Sequence, residues 1–300
     1  MGEKNCLASV ILGLIGALLA YIILGGEFLY NLINPYLGGS VLFYTLLYFF
    51  LGAFIILLGI KTTSSVSFWG VVLFFLIIIL GFIKGFPYLE INNLLINKIS
   101  VPNIFLPYGV ILFSLWGAAL IPEVEEFLGK DKHLIKKIIL PSILIPVVVY
   151  LIFIYLIVSI TGPNTTEFAL DGLKGVFSNG IISLMLFFGF LTTFTSFVAL
   201  GLTLKKVFWF DLKINKYLAW FLACFPCLFL YLLGFKDFIR IIGFIGSIML
   251  ATDSILLSLM YRKLGILKPE AVSKFKKYLI YPLILIFIFG ILYEVYYFLK

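Results

Sequence analysis

Apolar residues in this chain come in unbroken runs, and polar residues gather in the short gaps between them. Nine runs stand out, at 7–29, 40–60, 67–87, 107–128, 138–161, 177–204, 217–235, 238–262 and 278–299. Each is close to the roughly 20 residues an α-helix needs to cross the hydrocarbon of a bilayer. Lipid admits only helices and closed barrels as spanning structures. A barrel alternates polar and apolar residues in segments of about ten, and this chain does not. The pattern predicts an all-α, polytopic membrane helix bundle of about nine transmembrane helices. The longest gaps, 88–106 and 162–176, are too short for a soluble domain, so residues 1–300 read as a single transmembrane domain. The first run is not a secretory signal. It is too long for an apolar signal core, contains Gly25, Gly26 and Glu27, and lacks a small-x-small cleavage site.

Composition sharpens the class. Hydrophobic residues make up 63% and charged residues 12%, and the mean hydropathy is +1.19. A soluble domain carries about 25% charged residues. The net charge of +8 raises the question of nucleic acid, but its distribution answers it. Basic residues cluster at 130–137, 205–216 and 262–277, in gaps separated by pairs of spans. With Lys4 and Lys61, one side holds 16 of the 22 basic residues and the other holds 6. The positive-inside rule makes the first side cytoplasmic. The expectation is a multi-pass protein of the cell membrane, N-terminus inside and C-terminus outside, whose partner is the lipid bilayer and not nucleic acid. Trp69, Trp209 and Trp220 fall near the cytoplasmic boundary, where an interfacial belt would put them.

Several chemistries are excluded by what is scarce. With one histidine, His133, and three cysteines, a zinc or histidine-based catalytic centre has too few ligands. Cys224 and Cys227 form C-F-P-C inside a span with no second pair, and read as small apolar helix residues. No Gly-rich phosphate loop is present. Asn164-Thr165-Thr166 is a glycosylation sequon on the outer side, relevant only in a secretory pathway. No enzymatic activity, cofactor or metal centre is expected.

Polar residues inside the spans carry the candidate chemistry. A mid-span acid costs about 2.5–3.5 kcal/mol on insertion scales. Asp253 lies nine residues before Arg262, with Thr252, Ser254 and Ser258 around it. Its competing readings are function and a packing hydrogen bond to a neighbouring helix. The fourth span, P-Y-G-V-I-L-F-S-L-W-G-A-A-L-I-P-E at its start, is interrupted by Ser114, Trp116, Gly117 and Pro122. Pro122 removes a donor and crowds the carbonyl of Ala118, so the helix has reason to unwind there; a simple proline kink is the plainer alternative. Glu126 has Lys130 four residues on, whereas Glu123 has no basic partner in its own helix and sits against the macrodipole. In T-T-F-T-S-F, Thr192, Thr195 and Ser196 share a helix face and are candidates for ligating an ion, although membrane hydroxyls commonly bond back to their own helix.

The stretch F-S-L-W-G-A-A-L-I-P-E resembles the sixth helix of amino acid permeases in the amino acid–polyamine–organocation superfamily, closest to the amino acid/auxin and aromatic amino acid permease group. A-Y-I-I-L-G-G-E-F-L (20–29) resembles that family's third helix. The Tyr150 span and G-P-N-T-T-E-F-A-L-D-G-L (162–173) resemble its seventh helix and outer loop. T-S-F-V-A-L-G-L-T-L (195–204) resembles the end of its eighth, and G-F-I-G-S-I-M-L (243–250) its tenth. The resemblance implies a LeuT-like architecture of inverted repeats. Residues 7–87 would be a partial first repeat, 107–262 the second, and 278–299 an extra C-terminal helix. It implies substrate contacts from Tyr21, Ser114, Leu115, Trp116 and Gly117, and coupling-ion contacts from Thr192, Thr195 and Ser196. Glu123 and Asp253 are further intramembrane polar candidates. Trp116 stands where a smaller residue or Phe is expected.

The function implied is secondary transport of an amino acid, neutral or aromatic among the candidates, coupled to H⁺ or Na⁺. Counterparts of the family's first two helices are not in the sequence. The corresponding expectation is a need for an upstream extension, a separate two-helix piece or a partner subunit. The alternative is a non-transporting subunit or regulatory relative of such a permease. A polytopic enzyme is weaker still, because intramembrane acids and histidines are too few for most acid–base chemistry.

Overall fold

The computed structural model describes residues 2–59, 64–95, 105–267 and 274–299. The side chains of Lys4, Lys61, Trp69, Lys98, Lys268, Lys274, Lys276, Lys277 and Lys300, used above for topology, lie outside the described residues. Among the described residues the protein is helical, with no strand. The principal helices are α1 (Gly2–Leu37), α2 (Val41–Leu58), α3 (Ser64–Gly85), α4 (Tyr108–Leu115), α5 (Ile121–Leu128), α6 (Ile135–Thr161), α7 (Ala169–Leu173), α8 (Asn179–Lys206), α9 (Lys216–Leu232), α10 (Phe238–Phe244), α11 (Ala251–Leu267) and α12 (Lys274–Leu299).

Six helical stretches among the described residues are long and apolar enough to cross a membrane: Leu7–Leu37, Val41–Leu58, Tyr108–Asn164, Asn179–Asp211, Phe238–Gly265 and Tyr278–Tyr297. Two shorter apolar helices, Val72–Tyr88 and Lys216–Leu232, accompany them. The protein is therefore membrane-embedded. Its surface agrees: α2 turns Phe43, Phe50 and Phe54 outward, and α6 does the same with Leu140, Leu144 and Leu151. In water such a belt would be a liability; against lipid tails it costs nothing.

The first helix keeps Gly25 and Gly26 within it and runs eight residues past the end of the expected span, through Asn31 and Pro35. Tertiary packing overrides these weak helix formers. A Cβ at Gly25 would overlap the Tyr48 ring, and one at Gly26 would overlap Thr45, so the two glycines let α2 lie directly against α1. α1 also packs along α8, where Gly189 admits the Phe28 ring. Tyr44, Tyr48, Phe49 and Phe197 fill the space between α1, α2 and α8. Tyr48 meets Phe190 and Phe194 edge to face, a favoured arrangement. The reversal after α1 uses Gly38 at φ +67, the left-handed region that glycine enters without strain. The Tyr44 hydroxyl pins it by donating to Gly38 O at 2.6 Å.

Two departures from regular α-helix shape the site. α10 and α11 are joined by a π-helical turn over Ile245–Leu250. There Gly246 lies against the Gly109 backbone of α4, so close that a Cβ would overlap it. The other departure is the break between α4 and α5, which opens the site.

The two ends of the bundle are distinguishable. At one end, the connection after α3 meets the connection after α6: the Glu90 amide and the Asn93 side chain both donate to Ser159 O, at 3.0 and 2.9 Å. At the other end, Lys132 pairs with Glu125 at 2.8 Å, next to the last turn of α8. α6, 27 residues long and so about 40 Å, connects the two. Lys205 and Lys206 belong to the last turn of α8. Lys205, 4% exposed, donates to the terminal α2 carbonyls of Ile56 and Leu57, at 2.7 and 3.0 Å. A cation at a helix C-terminus satisfies carbonyls that have no partner within the helix.

Candidate functional site

α4 ends at Leu115. Trp116 is extended (φ −79, ψ 113) and Gly117 lies at φ −123, ψ 2. A single 3-10 turn, Ala118–Leu120, then leads into α5. The expectation from sequence is unwinding around Ala118 and Pro122, and the helix does unwind just before them, at Trp116 and Gly117. Pro122 turns out to act as a starter. It occupies the first turn of α5, where an N–H would have no acceptor in any case. The amides at the start of the 3-10 turn likewise have no partner within the helix.

Beside the break lies a cavity of about 560 Å³, within the roughly 300–1,000 Å³ typical of small-molecule sites. Its walls are helix stripes of three- and four-residue spacing, the periodicity of one helix face. α1 contributes Val10, Gly13, Leu14, Ala17 and Tyr21; α8 contributes Thr195, Ser196, Ala199 and Leu200. The α10–α11 helix contributes Leu250, Asp253 and Leu257. Phe113 and the run from Trp116 to Pro122 form the remaining wall. The walls are mostly apolar. Tyr21, Trp116, Thr195, Ser196 and Asp253 supply the polar side chains, and among the described residues no lysine, arginine or histidine lines the cavity.

Of the residues singled out in the sequence, Tyr21, Trp116, Gly117, Thr195, Ser196 and Asp253 come together here. The Tyr21 phenol faces Ser196 across the α1–α8 contact. Ser114 and Leu115 stay outside the cavity. The Ser114 hydroxyl donates to Ile111 O at 2.9 Å, and its carbonyl accepts from the Tyr150 hydroxyl at 3.2 Å. Thr192 is also outside, its hydroxyl directed to Phe188 O and Gly189 O, both at 3.1 Å. Thr195 donates to Thr192 O at 3.0 Å. Back-bonding of membrane hydroxyls to their own helix thus accounts for both threonines.

Asp253 is 4% exposed. The hydroxyls beside it in sequence do not serve it: Thr252 donates to Ile248 O and Ser254 to Leu250 O, at 2.6 and 2.7 Å. Ser9 of α1 lies beside the carboxyl, yet its hydroxyl donates to Met249 O at 3.3 Å. Asp253 Oδ1 is buried with no hydrogen-bond partner among the described residues.

Glu123 sits outside this cavity, and its partner comes from α8. Lys206 Nζ contacts its two carboxylate oxygens at 3.0 and 2.9 Å, and the Thr203 hydroxyl donates to Oε1 at 3.1 Å. Lys206 also reaches Glu126 at 3.3 Å. Glu123 and Lys206 border a second cavity of about 1,160 Å³, with Lys205, Trp209 and Lys216. Leu120 and Ala199 line both cavities, so these two residues stand between them.

Sequence reasoning passed over one buried acid. Glu294 of α12 is 7% exposed and accepts from the Ser247 hydroxyl at 3.1 Å. Its signal, an acid within the last apolar run, was present in the chain. Lys206 left no local sign of its role, because it lies 83 residues from Glu123. Compared with protein-family models and with curated proteins, the sequence matches none.

Proposed function

We propose that the chain is an amino acid permease-like secondary transporter, moving an amino acid across the cell membrane with H⁺ or Na⁺ as coupling ion. The observation that carries this reading is the convergence at one cavity of a broken helix and a buried carboxylate, one of whose oxygens has no partner among the described residues. Broken helices offer backbone groups to substrates and ions near the middle of the membrane, and an intramembrane acid without a structural partner defaults to function. Both border a space of about 560 Å³, together with Tyr21, Thr195 and Ser196. A nine-span, LeuT-like arrangement with the lysine-rich end in the cytoplasm belongs to the same proposal. The pairing of α1 with α8 and the place of the break within the fourth span support it.

The test is accumulation. The purified chain is reconstituted in proteoliposomes, and uptake of labelled amino acids is followed under a H⁺ or a Na⁺ gradient. Gradient-driven accumulation that Gly117→Val abolishes supports transport. Amino acid binding of normal strength in that variant removes the broken helix from the site.

A second reading, a non-transporting membrane subunit, is favoured by the openness of the rim. Gly117, Ile121 and Leu257 border the cavity yet are exposed, as a face completed by another polypeptide would be. Absence of accumulation by the chain alone, with accumulation restored by a co-purifying membrane partner, favours this alternative.

A further inference from the structure

We infer that Asp253 anchors the positive charge of an organic ammonium ligand, so that the cavity takes amine-bearing molecules with an apolar body and rejects anions. The inference rests on the reading of the cavity as a substrate site and names the chemistry that site selects.

Three observations carry it. The first is the missing partner. Asp253 is nine-tenths buried and more, faces the cavity, and holds Oδ1 with no donor among the described residues. A buried carboxylate is expensive unless a charge or donors compensate it. Thr252 and Ser254 bond to their own helix, and Ser9, the one hydroxyl beside the carboxyl, also reaches Met249 O at 3.3 Å.

The second is the charge of the lining. Among the described lining residues, Asp253 is the one ionisable acid or base of ordinary range, and no cationic side chain joins it there. A ligand's ammonium is therefore complementary to the cavity, and a free carboxylate with no counter-charge is not.

The third separates an organic cation from a metal ion. Hard metal ions gather about six or more oxygen ligands. Flanking Asp253 on its own stripe are Leu250 and Leu257, and the facing α1 stripe offers Val10, Gly13 and Leu14. One carboxylate in apolar walls suits an ammonium on a hydrocarbon body. The cavity is also elongated: Val10 and Tyr21, both on its lining, are separated by about 16 Å along α1. Asp253 lies at the Ser9 end, where Ser9 and Gly13 touch the Met249–Leu250 turn. The neutral hydroxyls of Tyr21 and Ser196 lie at the other. A bound molecule would place its ammonium at Asp253, its apolar part along Leu14 and Ala17, and an uncharged polar group near Tyr21.

The experiment uses the full chain in nanodiscs and four probes on one ring: phenethylamine, phenylalanine, 3-phenylpropionate and 2-phenylethanol, with binding followed by calorimetry. Phenethylamine and phenylalanine are expected to bind and 3-phenylpropionate is not. Asp253→Asn is expected to weaken phenethylamine at least tenfold and to leave 2-phenylethanol within twofold. Equal binding of phenethylamine and 3-phenylpropionate overturns the inference, as does unchanged phenethylamine affinity in the variant. A second measurement needs no variant. Dicyclohexylcarbodiimide modification of Asp253 in the unaltered protein, mapped by mass spectrometry, should be slowed by phenethylamine. Full reactivity at saturating phenethylamine, or protection by Na⁺ in place of K⁺ where phenethylamine gives none, overturns the assignment. The outcome is separable from transport itself. Asp253-dependent binding without accumulation keeps the inference and removes transport; accumulation indifferent to Asp253→Asn does the opposite.

Discussion

Glu123 and Lys206 tie α5 to α8 directly below the wall formed by Leu120 and Ala199. Glu123 follows Leu120 by one turn, and Thr203 follows Ala199 by one turn. If the two cavities connect during a transport cycle, this bridge must part. Replacing Glu123 by Gln keeps the shape and removes the charge. Both side chains are about a third exposed, 34% and 30%, and a pair this accessible contributes about 0–1 kcal/mol. The engaged second oxygen and the Thr203 hydroxyl put it at the upper end, about 1 kcal/mol. Loss of that amount shifts a two-state equilibrium roughly fivefold. The assay places a single cysteine at Ala199, with Cys6, Cys224 and Cys227 replaced, and applies an impermeant thiol reagent from the lysine-rich side of sealed vesicles. Glu123→Gln should raise the labelling rate about fivefold, by the arithmetic just given, and the swap Glu123→Lys with Lys206→Glu should return it toward the starting value. An unchanged rate in Glu123→Gln, with the protein still folded, would refute the bridge as a closure.

Other outcomes follow from the packing. Gly117→Val should leave thermal stability unchanged, because a Cβ there meets nothing within 4 Å, while amino acid binding is lost; a lowered melting temperature would contradict the open geometry. Gly246→Val should do the reverse of this at the α4 crossing, where overlap with the Gly109 backbone costs about 1–3 kcal/mol or more, read as a lower melting temperature in detergent. Lys205→Met removes the Lys205 donor from Leu57 O and leaves Ile56 O with the Gly59 amide, and should cost about 1–3 kcal/mol by the same measurement. In intact cells, single cysteines near Asn164 should react with an impermeant reagent and those near Lys132 should not; the opposite pattern would invert the proposed topology.

The helices were legible because lipid enforces them: a run of about 20 apolar residues has few other options. The break was legible for a local reason, since Gly117 is a poor helix former, although the neighbouring proline acts by starting α5 and not by kinking a continuous helix. Asp253 announced itself as an acid in an apolar run. Thr192 and Ser114 look equally promising in sequence, and only the three-dimensional arrangement shows their hydroxyls turned to nearby carbonyls. Long-range partnerships left no trace at all. Lys205 and Lys206 read as two loop charges, yet one caps α2 and the other holds α5. The crossing of Gly109 and Gly246, between helices far apart in the chain, was equally invisible, because its signal is the absence of two side chains.

The π-helical turn at Ile245–Leu250 has a consequence for the phase of everything after it. Such a turn accommodates one residue more than an α-helix would, and one residue in an α-helix is about 100° of rotation. Gly246, early in the turn, faces α4; Asp253 and Leu257, beyond it, face the cavity. The extra residue is what allows both faces to be correct at once. Asp253 therefore owes its direction to the count of residues before it as much as to its own identity. A one-residue deletion at Ile248 would preserve every wall residue of the cavity and turn the carboxylate away from it.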